Sequence, residues 1–259
     1  MRHVASVAGR ELRSLFVSPI AYGVLSLFAV LAGMFFILDL SWFEQAVFQL
    51  QQYPDQLAEI NLNDLLLHEF YGSISVVLLF LIPGVTMGVY TAEKANGTEE
   101  MLLTSPLTIW DIVLGKFVAG ATFIAAMVGI VGLFASVLFI YGNPEVGKTS
   151  SGLLGLLLTG WTYVAIGGLA SAITRSQIVA FLITLVALVT LLLLPGIAEF
   201  GIAGGGSGVA ATLRWLSVQL HFDPLLNGLV DTADLAYFAV AIGVFLMLTK
   251  AAVESVRWR

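Results

Sequence analysis

Residues 73–141 read SISVVLLFLIPGVTMGVYTAEKANGTEEMLLTSPLTIWDIVLGKFVAGATFIAAMVGIVGLFASVLFIY, two long apolar runs around a polar interlude from Glu93 to Lys116. Each run approaches or exceeds the roughly 20 apolar residues that cross a bilayer as a helix. The interlude holds four acids and two lysines. An apolar chain interrupted in this way is a hairpin of two membrane spans with a polar loop between them.

The rest of the chain agrees. Of 259 residues, 59% are hydrophobic and 11% charged, whereas a soluble domain carries about 25% charged residues. The mean hydropathy is +0.97. Six stretches are long and apolar enough to span: roughly 20–38, 72–90, 117–140, 151–172, 178–198 and 235–253. None alternates polar and apolar residues as barrel strands do, so the spans are helices. Ser18 and Pro19 open the first as N-cap and first helical residue. Its apolar run from Ile20 to Leu38 is too long for a signal-peptide core, so it is expected to stay as a span.

Basic residues set the expected orientation. With six spans the termini share a side, and that side holds nine of the eleven Lys and Arg residues; Lys148 and Arg214 fall on the other. The positive-inside rule then places both termini in the cytoplasm, and with them the interlude from Glu93 to Lys116. The segment 39–71, with six acids and no Lys or Arg, is external. It carries two weak helical patterns broken at Tyr53-Pro54. Residues 1–17 place Val4, Val7, Ala8, Leu12 and Leu15 near one helical face and Arg10 and Arg13 away from it, the pattern of an interfacial helix. In the external segment 199–233, glycines make a bend and the apolar pattern after them is too short to cross, so a re-entrant or interfacial helix is expected.

Several chemistries are excluded or weakened. There are no cysteines, hence no disulfide or thiolate site. His3, His68 and His221 match no metal-ligand spacing. The central parts of the spans carry no Asp, Glu, His, Lys or Arg, which ion-driven carriers commonly place there; hydroxyls such as Thr86, Thr122, Ser136, Thr159, Thr162 and Thr184 remain. Paired carboxylates or an activated nucleophile are not evident, so a membrane enzyme is not expected. Asp39, Glu69, Asp223 and Asp231 read as a solvated external face. Gly84 and Gly88 at i, i+4 would let a neighbouring helix approach closely.

One motif tempts. GNPEVGKT, Gly142 to Thr149, matches the phosphate-loop pattern through Gly142, Gly147, Lys148 and Thr149. Its preceding VLFIY could be a strand and its following run a helix. Yet no parallel strands or metal-binding Asp build the nucleotide-binding context that the pattern needs. The run is expected to be a decoy, a Gly-Asn-Pro turn between the third and fourth spans.

Within the interlude, Thr98 suits an N-cap with Glu99 and Glu100 in the first turn. Ser105-Pro106 ends that short helix, and a second starts near Thr108 and climbs into the third span. Leucines beside charges suit a groove on a partner. Glu93, Gly97-Thr98-Glu99-Glu100-Met101-Leu102-Leu103, Ser105-Pro106 and Ile112-Val113-Leu114-Gly115-Lys116 resemble the type-2 permease family of ATP-binding-cassette exporters. Arg10-Glu11-Leu12 through Tyr22, and Leu81 to Met87, look like its gliding-motility-type subgroup.

The resemblance implies an all-α integral membrane protein: one permease domain over 1–259, six transmembrane helices, an N-terminal interfacial elbow helix (1–17, with Arg10, Glu11 and Arg13), a cytoplasmic coupling loop (91–116) and an external re-entrant hairpin (199–233). It implies that Glu93, Gly97, Thr98, Glu99, Glu100, Leu102, Leu103 and Pro106 couple the chain to a cytoplasmic ATPase that holds ATP and Mg. This chain itself would then carry no cofactor, no metal and no catalytic residue. The implied partners are that ATPase, a second permease subunit (identical or related), membrane lipid and, for the gliding-type subgroup, an auxiliary subunit with a large external domain; nucleic acid is not among them. The implied place is the bacterial inner membrane. Two other readings stand beside export: a subunit passing ATPase motion to external partners without transport, and a stand-alone secondary carrier, against which the uncharged spans argue.

Overall fold

The computed structural model describes residues 2–50, 63–97, 108–142, 144–199 and 208–256. All regular structure among them is helical. Helix α1 (Arg2–Val17) leads into α2 (Pro19–Leu50). A single π-turn, Asn63–Leu67, opens α3 (His68–Thr86), which passes at Met87 into α4 (Gly88–Ala95). Then come α5 (Ile109–Tyr141), α6 (Val146–Ile173), α7 (Gln177–Glu199), α8 (Gly208–Leu216), α9 (Val218–Leu226) and α10 (Thr232–Val256). Six helices are long and apolar enough to cross a membrane: Pro19–Gln49, Leu65–Ala95, Ile109–Tyr141, Val146–Ile173, Gln177–Ile197 and Thr232–Ser255. They coincide with the six expected spans and extend beyond them.

Ser18 accepts a hydrogen bond from the Ile20 N–H through Oγ at 3.3 Å, as an N-cap does. The expected end of the first span at Leu38 is corrected: α2 continues unbroken to Leu50. Ser41-Trp42-Phe43-Glu44 lowers hydropathy without breaking the helix, since none of these residues is Gly or Pro. Tyr53-Pro54 lies outside the described residues. Within the segment 199–233, the described residues form two short helices, α8 and α9, separated at Ser217, whose backbone is extended at φ −73° and ψ 126°.

Helix α6 is the axis of the fold, packing against α3, α4, α5, α7, α9 and α10. Lipid tails are as apolar as leucine, so helices in a bilayer associate through close packing. On α6 that packing is made by glycines. A Cβ added at Gly152 would lie 2.5 Å from the Tyr71 ring, one at Gly160 2.5 Å from Ile124, and one at Gly167 2.1 Å from the Thr86 hydroxyl. Gly84 and Gly88 are not used for packing within this chain: a Cβ at either would meet nothing within 4 Å among the described residues. The Trp161 indole donates to the Ala121 carbonyl at 3.0 Å and ties α6 to α5. Outward faces of α2, α5, α7 and α10 present large apolar side chains such as Val30, Leu133, Val186 and Met247, as lipid contact requires.

Candidate functional site

The interlude is anchored at both ends. Met87, between α3 and α4, keeps helical dihedrals, and its N–H bonds the Pro83 carbonyl; two N–H groups of the α4 segment are met from another helix. Ser171, near the end of α6, takes them: its Oγ accepts from the Tyr90 and Thr91 N–H groups at 2.9 and 3.2 Å. The same hydroxyl donates to the Met87 carbonyl at 3.0 Å. The Lys94 ammonium donates to the Ala172 carbonyl, a favourable place for a cation at a helix C-terminus. Gly97 then turns the chain with φ +68°, the left-handed region that suits glycine. The chain returns at Thr108, whose Oγ1 accepts from the Asp111 N–H at 3.2 Å while Asp111 Oδ2 accepts from the Thr108 N–H at 3.1 Å. This reciprocal capping box starts α5 where the sequence places it.

Between these ends stands Lys116. Its side chain is 2% exposed, yet every donor direction is used. Nζ donates to Glu93 Oε1 at 2.8 Å, to the Val89 carbonyl at 2.7 Å and to Glu11 Oε1 at 3.4 Å. It also lies 5.2 Å from the Tyr90 ring centroid, within cation–π range. Glu11 further accepts from Arg10 at 2.8 Å. One ammonium therefore joins α1, α4 and α5. Gly115 makes this possible: α1 lies so close that a Cβ there would stand 2.6 Å from Val7 Cβ. Val7 and Ala8 are the buried residues of α1, and Arg10 and Arg13 are exposed.

Of the residues expected to couple the chain to a partner, Glu93 and Gly97 are described. Thr98, Glu99, Glu100, Leu102, Leu103 and Pro106 lie outside the described residues. Glu93 faces inward to Lys116. Glu11, Arg10 and Arg13 lie on α1 as expected for a helix, and Glu11 joins Glu93 on the same cation. Lys116 itself was legible only as part of the Ile-Val-Leu-Gly-Lys run. The signal that marks it is a lone cation entering an apolar helix, which must find carboxylates.

The phosphate-loop pattern falls on helix ends. VLFIY belongs to α5, and α6 begins at Val146. Lys148 Nζ lies 3.6 Å from Glu145 Oε2, and the Thr149 hydroxyl donates to the Glu145 carbonyl at 3.0 Å. The span hydroxyls are largely turned back on their own helices: Thr86 donates to Ile82, Thr122 to Val118, Thr162 to Leu158 and Thr184 to Ala180. Thr159 Oγ1 is buried without a hydrogen-bond partner among the described residues. No group of three His, Asp or Glu side chains among the described residues could hold a metal. At the far end of the bundle, His221 stacks on Tyr237 at 3.8 Å, and the Tyr237 hydroxyl donates to the Leu216 carbonyl at 2.7 Å.

Comparison with known proteins gives two findings. Residues 5–254 match a family described as ABC-2 family transporter protein. A stretch of 151 residues is 29% identical to the "Probable multidrug ABC transporter permease YbhR" of Escherichia coli strain K12, and equally to that of strain O157:H7. The match covers 52% of this chain and 40% of the relative.

Proposed function

From the premise that the chain belongs to the ABC-2 family of transporter proteins, a family of non-catalytic, multi-pass permease subunits, we propose that it forms the transmembrane pathway of an exporter driven by a separate cytoplasmic ATPase. The family implies an ATP-binding-cassette ATPase as partner and usually a second permease, here identical or related. ATP and Mg sit on the ATPase, and no cofactor sits on this chain. The protein resides in the bacterial inner membrane with both termini cytoplasmic, on the nine-to-two distribution of basic residues. The resemblance to the gliding-motility-type subgroup adds an auxiliary subunit with an external domain. The relative's name speaks of multidrug transport, and spans with few polar groups suit an amphipathic cargo.

The observation that carries this reading is the Lys116 clamp. Residues 98–107 join α4 to α5 in the sequence, and Lys116 bonds these two helices to each other while holding α1. A push on residues 98–107 therefore acts on three elements together. In the proposed mechanism Thr98 caps a coupling helix, Glu99 and Glu100 meet basic groups of the ATPase, and Leu102 and Leu103 anchor in its groove. Pro106 ends the coupling helix, and α1 is the elbow helix at the same membrane surface. The external α8–α9 pair serves as the re-entrant cap, and Gly142 to Thr149 serves as a connecting turn.

The test is the Glu100→Ala, Leu103→Ala double variant. It is expected to insert normally, to lose most ATPase co-purification in mild detergent, and to uncouple ATP hydrolysis from export. Wild-type partner binding and export in this variant would sink the coupling assignment.

A further inference from the structure

We infer that the chain binds an anionic phospholipid, with one acyl chain held in an internal cavity beside Lys116 and the phosphate against Arg10 and Arg13 of α1. The inference goes beyond the transport reading and is measured on this chain alone, so its failure would leave that reading intact.

Three observations carry it. First, a cavity of about 680 Å³ lies among α1, α3, α4, α5, α6 and α10, within the roughly 300–1,000 Å³ of small-molecule sites. Its inner walls are apolar, with Val85, Phe117, Val164 and Leu246. At Gly168, on the same wall, an added Cβ would meet nothing within 4 Å. Second, the outer face of α1 exposes Ser6, Arg10, Arg13 and Ser14 side by side at helical spacing. Arg10 and Ser14 also line the cavity, and Arg13 stands three residues on from Arg10 on the same exposed face of α1. Third, the two carboxylates at the inner end already have their cations: Glu93 and Glu11 both meet Lys116, and Glu11 also accepts from Arg10, so no further counter-ion is called for there.

At the mouth, Arg10 spends one nitrogen on Glu11 and Arg13 is exposed. Each guanidinium carries five N–H donors in a fork suited to phosphate. The chemistry demanded is a phosphate joined to a long apolar chain. An inorganic phosphate leaves the slot unfilled, and a neutral amphiphile leaves the arginines unused. Basic residues at a membrane surface beside an apolar recess select anionic headgroups.

The experiment uses the full chain, purified in mild detergent and exchanged against equal amounts of phosphatidylglycerol and phosphatidylcholine with matched chains. After gel filtration the retained lipid is quantified. Wild type is expected to retain about one phosphatidylglycerol per chain, with at least tenfold preference over phosphatidylcholine. The Arg10→Gln, Arg13→Gln variant is expected to lose that preference, and Gly168→Phe, which fills the slot, to lose retention. Millimolar inorganic phosphate is expected to displace nothing. Equal retention of the two lipids by wild type, or unchanged preference in the arginine variant, would overturn the proposal. Displacement by inorganic phosphate would replace the lipid with a plain anion. Should Gly168→Phe fail to fold, the Arg13→Gln single variant, at an exposed position of α1, decides through the lipid preference alone.

Discussion

Lys116 carries a full charge with 2% of its side chain exposed, and its surroundings define its worth. Removing one member of a buried ion pair costs about 3–5 kcal/mol, because the remaining charge is left uncompensated. Lys116→Met leaves Glu11 and Glu93 converging with no cation between them, and a large drop in the thermal midpoint of the purified chain is expected. Adding Glu11→Gln and Glu93→Gln should recover most of it, a non-additivity that a thermal melt of the triple variant reads directly. Asp223, at the other end of the bundle, gives a pH prediction. Burial raises its carboxyl above the ordinary value of 3.8, against smaller opposing effects from the Gln219 hydrogen bond and His68. The folded state thus holds this proton more tightly than the unfolded chain. That contribution to stability is fully present below pH 3.8 and is lost as pH rises through the folded value. Asp223→Asn should flatten stability against pH across this acidic window and leave the variant the more stable at neutral pH. Unfolding curves at stepped pH check it.

At the scale of elements, α1 meets α5 at Gly115, whose missing side chain leaves room for Val7. Gly115→Ala forces α1 away from α5 and stretches the 3.4 Å contact between Lys116 and Glu11. The single variant should be destabilised by about 1–3 kcal/mol, as overpacked sites are. Val7→Gly, which removes the Cβ that the new methyl would meet, should cost less in the Gly115→Ala background than alone, and a melt of the pair against each single variant tests this. The elements themselves were largely legible. Long apolar runs gave every span, Ser18-Pro19 marked the start of α2, and the second helix of the interlude begins at Thr108 as read. Two boundaries were not legible. Helix α2 runs on to Leu50 because hydropathy reports the membrane, whereas helices end at breakers. Helices α8 and α9 divide at Ser217, where neither Gly nor Pro announces a break. The role of the α6 glycines was also hidden, because close approach depends on which side chains face them, here Tyr71, Ile124 and Thr86. Glu93 and Glu11 were singled out by resemblance, but their common partner was not. Lys116 is 105 residues from Glu11, and no local pattern reports such a pairing.

For the whole molecule, the proposed orientation rests on basic residues alone and has a direct check. A single cysteine placed at Lys148 should react with an impermeant thiol reagent in intact cells, and one at Asn96 only after the membrane is opened. The reverse pattern would invert the topology and remove residues 98–107 from the ATPase side. The chain has no cysteine of its own, so no background labelling obscures the result. The bundle is unevenly held: glycine-backed packing runs along α6, and charge is concentrated where α1, α4 and α5 meet. That charge has an order in time. Glu11, Val89 and Glu93 all precede Lys116 in the chain, and synthesis proceeds from the N-terminus, with early segments folding first. When the ribosome adds Lys116, each oxygen it will bond has already been made, so the third span reaches the bilayer with its ammonium's acceptors waiting on the segments before it.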